Sequence, residues 1–269
     1  MIRLRNVRLP RATRSKLNKL QQQINDKITY EEQVALAKEL FPQKNRANNS
    51  IFREVRKALT RMCAGARRCC YCEDSYASDI DHIRPKDIYP EVTFVWENYI
   101  YACALCNRHK SNRFSIFSAT TGEVVNVARR ANQQEPPEHG ESVFINPREE
   151  DALELMWLDI QGTFHFVSVV PESTREYERV KYTIKILDLN DREDTLPLAR
   201  RVAFGNYRAR LREYINQRDN GVSKRKLNTL KKDFHNVGQP TGWVEMKRQY
   251  EAIPELKVLF DSAPEALNW

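Results

Sequence analysis

The chain has 269 residues, 41% of them hydrophobic and only 8 of them glycine, which suits a helix-rich globular protein with a sizeable core. No apolar run reaches the ~18–20 residues of a membrane-spanning helix, and the N-terminus "MIRLRNVRLPRATRSKL" lacks the apolar centre of a signal peptide, so no membrane partner and a cytoplasmic location are expected. A net charge of +8 points to a polyanionic partner, and six cysteines in a reducing compartment point to metal ligation before disulfides.

Four regions follow in chain order. Residues 1–62 read as a basic helical N-terminal region. Its first 20 residues carry seven Arg or Lys and no acid, fitting either a nucleic-acid-facing surface or a solvated tail. Within "SIFREVRKALTRMC", Phe52, Val55, Leu59 and Met62 recur on one helical face. Residues 63–115 hold the cysteines and two strand-like runs, "SDIDHI" and "NYIYAC". Residues 116–171 read as loop and short strands, with strand content in "SVFINP", "LMWLDI" and "TFHFVSVV" and a surface loop in "ANQQEPPEHGES". From residue 172 to 269 the helical period returns: Tyr177, Val180, Ile184 and Leu187 mark one helix, and Phe204, Tyr207, Leu211 and Tyr214 another. The expected fold class is α+β, a small metal-bearing core embedded between mostly α-helical arms.

The core announces itself through two C-x-x-C pairs. Cys69 and Cys72 form one, Cys103 and Cys106 the other, with 30 residues between them. Two such knuckles aim four thiolates at one point, the arrangement tetrahedral Zn²⁺ requires. Cys70 is too close to Cys72 to share a knuckle with it, and Cys63 reads as a small apolar residue at a helix end. A closed Cys₄ site has no open position, so this zinc is structural and any chemistry must come from elsewhere.

Between the knuckles lies Asp81-His82, and Asn107 follows the last zinc-type cysteine directly. Closing the knuckles brings these residues together. Carboxylate and amide oxygens suit a hard cation such as Mg²⁺, while the neighbouring histidine stays metal-free and available as a base. The aromatic run "FVWENYIY" reads as core packing ahead of a base-stacking platform. His139, His165 and His235 have no motif around them and default to structural or surface roles.

The series "CCYC", "DHIRPK" and "WENYIYACALCNRHK" resembles the HNH endonucleases, whose nuclease core is a ββα-metal unit. The flanking "INPREED" and "YTIKILDLNDRE" are similar to the PtuB-like, retron-associated HNH subgroup of antiphage defence. The resemblance implies a metal-dependent endonuclease that hydrolyses phosphodiester bonds, in DNA ahead of RNA. By the same resemblance His82 is the general base, Asp81 and Asn107 hold one Mg²⁺ or Mn²⁺, and Asn98 pins the loop that orients His82. Arg108, Lys110 and Arg113 become phosphate contacts, with His109 open to a supplementary role, and the subgroup adds a partner ATPase. The competing reading is a zinc-knuckle module that binds or scaffolds nucleic acid without cutting it.

Overall fold

The computed structural model describes residues 1–128, 133–234 and 236–269. His235 and the first two residues of the loop expected at 131–142 lie outside the described residues. The N-terminal arm consists of α1 (Arg11–Asn25), α2 (Tyr30–Lys44) and α3 (Ser50–Thr60). Thr29 and Glu32 form a reciprocal capping box at the start of α2, and the Asn49 side chain accepts the first free N–H groups of α3. The periodic face of α3 is buried at Phe52, Val55 and Leu59, with Met62 just beyond its end. Phe41 and Phe52 meet Phe94 and Tyr99, so the arm covers one side of the central hairpin with rings. Phe94, Trp96, Tyr99 and Tyr101 are all buried, which makes the aromatic run core.

That hairpin pairs β1 (Asp79–His82) antiparallel with β2 (Tyr99–Ala102), Asp81 opposite Ile100 and His82 opposite Tyr99. It leads into the short helix α4 (Ala104–Lys110). A three-stranded antiparallel sheet follows in the order β4–β3–β5, from β3 (Phe114–Ser118), β4 (Val124–Val127) and β5 (Gly140–Ser142). Gly140 is required by close approach, because a Cβ there would lie 2.2 Å from the Phe117 carbonyl oxygen. The run "SVFINP" departs from its strand expectation after Ser142. Its Val143 N–H bonds the Ser115 carbonyl, and the Ile145 N–H goes to the Thr183 hydroxyl instead of a ladder partner. A further hairpin joins β6 (Met156–Leu158) to β7 (Phe166–Ser168), and His165 precedes β7 instead of lying within a strand.

The C-terminal arm comprises α5 (Arg175–Leu187), α6 (Thr195–Asp219), α7 (Lys224–Phe234), α8 (Pro240–Gln249) and α9 (Pro254–Ser262). One contiguous apolar core runs from Met1 through the cysteines to Ala266, so both arms pack on the same interior as the hairpin. The fold is mixed helix and strand, with its small sheets held among helices. Among the described residues, no helix is long and apolar enough to cross a membrane.

Candidate active site and metal centre

The sulfurs of Cys69, Cys72, Cys103 and Cys106 lie within 4.8 Å of one another, and all four residues are buried. A Zn–S distance of about 2.3 Å implies sulfur–sulfur edges of roughly 3.8 Å in a tetrahedron. The Cys72–Cys103 separation is 3.9 Å. The four sulfurs therefore have the clustering and donor chemistry that could hold Zn²⁺. Local backbone geometry supports the same donor set: the Tyr71 N–H points at Cys69 Sγ and the Cys106 N–H at Cys103 Sγ, both at 3.4 Å. Cys103 thereby caps α4 with its sulfur. Cys70 and Cys63 stand apart, their sulfurs 3.7 Å from each other.

One contributor to this centre is invisible in the motif. Arg192, between α5 and α6, donates from Nη2 to Cys106 Sγ at 2.9 Å and to the Leu187 carbonyl at 2.8 Å. Four thiolates around a divalent ion would carry excess negative charge, and this largely buried guanidinium is placed to offset it. Nothing in the local sequence of Arg192 marks it, because its partner is 86 residues away.

A cavity of about 450 Å³ has a lining that includes Asp79, Asp81, His82 and Asn107, the last directly after Cys106 in the chain. The cations Arg56, Lys86 and Arg108 line the same space. His82 is buried between rings, its centroid 4.4 Å from Phe41 and 5.2 Å from Tyr99. Its Nε2 lies 2.9 Å from the Thr93 carbonyl oxygen. A carbonyl can only accept, so Nε2 carries the proton and Nδ1 keeps its lone pair. Burial pushes the imidazole pKa down to about 3, so the ring is neutral at physiological pH.

Asp81 is also buried. Its Oδ2 accepts from the Tyr71 hydroxyl at 2.7 Å and lies 3.1 Å from Lys110 Nζ, which sits 3.3 Å from Oδ1. Burial and then the Asp81 charge push the Tyr71 hydroxyl well above its ordinary pKa, keeping it a donor. Asn107 donates from Nδ2 to Asp79 Oδ2 at 3.0 Å, which leaves its amide oxygen as the acceptor. Asp79 was not among the expected site residues. The signal was present: it stands two positions before Asp81 on a strand, hence on the same face. Asn98 accepts the Arg84 N–H at 2.8 Å and donates to the Arg84 and Val92 carbonyls, both at 3.0 Å, bridging the two ends of the loop between the strands.

The three expected phosphate contacts separate. Arg108 is exposed and lines the cavity. Lys110 requires correction: it is fully buried, spent on Asp81 and on the His82 carbonyl at 2.6 Å, and has no route to a phosphate backbone. Arg113 lines a different cavity and donates to the His109 and Ile186 carbonyls, tying the end of α4 to α5. His109 turns the same way, its Nε2 3.8 Å from Asp188.

Residues 69–113 match the family model described as HNH endonuclease. The HNH segment begins at the first zinc-type cysteine, contains Asp79, Asp81, His82 and Asn107, and ends before β3. The match points to nuclease or nucleic-acid-binding chemistry for this part of the chain, and the helical arms lie outside it. No curated protein and no solved structure matches the chain.

Proposed function

We propose that the chain is a metal-dependent endonuclease that hydrolyses phosphodiester bonds in nucleic acid, DNA ahead of RNA. The observation that carries this reading is the shared cavity of Asp81, His82 and Asn107, walled by arginine and lysine. A carboxylate oxygen and an amide oxygen fit a hard cation, so Asp81 and Asn107 would hold Mg²⁺ or Mn²⁺. When bound, the ion supplies charge stabilisation at the scissile phosphate.

The chain's own residues then have distinct tasks. His82 takes a proton from water at Nδ1 while its Nε2–H remains on the Thr93 carbonyl, which fixes the ring and accepts the dipole of the imidazolium as it forms. An imidazole held near pKa 3 is a weak base. A substrate phosphate entering the cavity adds negative charge nearby and raises the ring's proton affinity when it is needed. Asp79 positions Asn107, and Tyr71 and Lys110 hold the Asp81 carboxylate in place. Arg56, Lys86 and Arg108 supply positive charge toward the phosphates flanking the cut.

The non-catalytic alternative draws on the Asp81–Lys110 ion pair, which already satisfies much of the carboxylate. Purified zinc-loaded protein, incubated with DNA and RNA panels plus Mg²⁺ or Mn²⁺, separates the two. Cleavage lost in His82→Gln and Asp81→Ala is expected. Equal cleavage by folded His82→Gln removes the proposed base, and binding without any wild-type cleavage favours the binding module. The antiphage setting and the partner ATPase enter through the resemblance of the flanking segments; copurification with the neighbouring gene product tests them.

A further inference from the structure

A second cavity, about 810 Å³ in volume, opens beside the catalytic one, and Ser111 and Asn112 line both. It lies between α5, the β3–β4 hairpin and the corner after α4, within the ~300–1,000 Å³ typical of cavities that enclose a small organic group. Its apolar lining includes Val124, Val127, Tyr182 and Ile186. Cations also line it: Lys38 from α2, and Lys181 and Lys185, exposed one turn apart on α5. Two acids line it as well, Asp87 and Glu178. Asp87 is already engaged by Lys86 at 2.7 Å, by Lys38 at 3.8 Å and by the Asn112 amide at 2.9 Å, which leaves Lys181 and Lys185 as the principal phosphate-facing charges.

This chemistry selects among occupants. A duplex backbone requires surface charge and has no use for an apolar hollow. An unpaired nucleotide uses both, its base against Tyr182 and the aliphatic side chains and its phosphates on the lysines. We propose that the hollow receives an unpaired nucleotide next to the scissile phosphate, so that the preferred substrate carries a single-stranded stretch at the cut. The location of the cut rests on the nuclease reading above; the binding itself does not.

The test uses the full zinc-loaded chain carrying His82→Gln, so that binding is read without cleavage. Fluorescence anisotropy compares a blunt duplex, the same duplex with an internal unpaired stretch, and the single strand. Unpaired substrates are expected to bind about tenfold tighter than the blunt duplex. Two added changes should each abolish that preference while duplex affinity stays within about threefold: Lys181→Ala with Lys185→Ala, which removes charge, and Val124→Trp, which fills the hollow. All of these positions are exposed, and a thermal melt checks folding. Equal affinity for paired and unpaired strands, or a preference that survives Val124→Trp, overturns the proposal. Plasmid cleavage by the wild type is scored separately. Single-strand preference without cleavage keeps this site and removes the nuclease, whereas cleavage without the preference does the reverse.

Discussion

His82 is the residue whose burial has the most measurable consequence. With a folded pKa near 3 and an ordinary value near 6.5, the unfolded chain takes up this proton first as pH falls. Stability is therefore full above about pH 6.5 and declines as pH drops toward 3, with a contribution of about 2 kcal/mol lost at pH 5. His82→Gln keeps a donor for the Thr93 carbonyl and removes the titration. Urea unfolding at pH 7 and pH 5 should show a smaller acid loss in the variant, and identical losses would mean the ring does not resist protonation. Asp79 makes a different demand. Its carboxylate holds Asn107 by one hydrogen bond, so Asp79→Ala frees the amide to rotate. The Mg²⁺ or Mn²⁺ concentration for half-maximal cleavage should rise about 10–100-fold with zinc content unchanged. An unaltered metal titration would show that Asn107 is oriented by other means.

At the scale of elements, what could be read in the sequence follows the range of the interaction. The two knuckles were legible because each is a three-residue spacing, and the helical face of α3 because its period is local. Lys110 was not: "CNRHK" looks like surface charge, and nothing in it shows that the short α4 turns this one lysine inward onto β1. Asp79 is readable from strand alternation, which puts it on the same face as Asp81. Arg192 was out of reach, since its contact with Cys106 exists only once α5 has packed beside α4. That contact is testable. Arg192→Met should weaken zinc retention about tenfold in competition with a chelator, with Arg192→Lys in between because it keeps the charge but loses the planar fork. Retention equal to wild type in both would reduce Arg192 to a tie on the Leu187 carbonyl.

For the whole molecule, the decisive feature is that the metal turn is where remote parts of the chain are fastened. Glu73, in the turn after Cys72, accepts from the Ile2 N–H at 2.8 Å and from the Thr241 N–H and hydroxyl, both at 2.9 Å. Arg192 joins the C-terminal arm to the same centre, and one apolar cluster takes in residues of both arms and of the hairpin. A zinc that only stapled a local loop would leave the helices standing when removed. In this arrangement its loss releases the turn bearing Glu73, exposes the cysteine-lined part of the core and unfastens both arms together. Chelation, or Cys103→Ser, should therefore abolish most of the helical circular dichroism in one transition that coincides with the change in tryptophan fluorescence. The Asp81→Ala protein, by contrast, should keep its zinc and its helices while losing divalent-metal-dependent cleavage. If the arms keep their helical signal after zinc is stripped and melt later in a transition of their own, the core is not continuous in energy even though it is continuous in packing, and the segment that matches the HNH model is then a separable module.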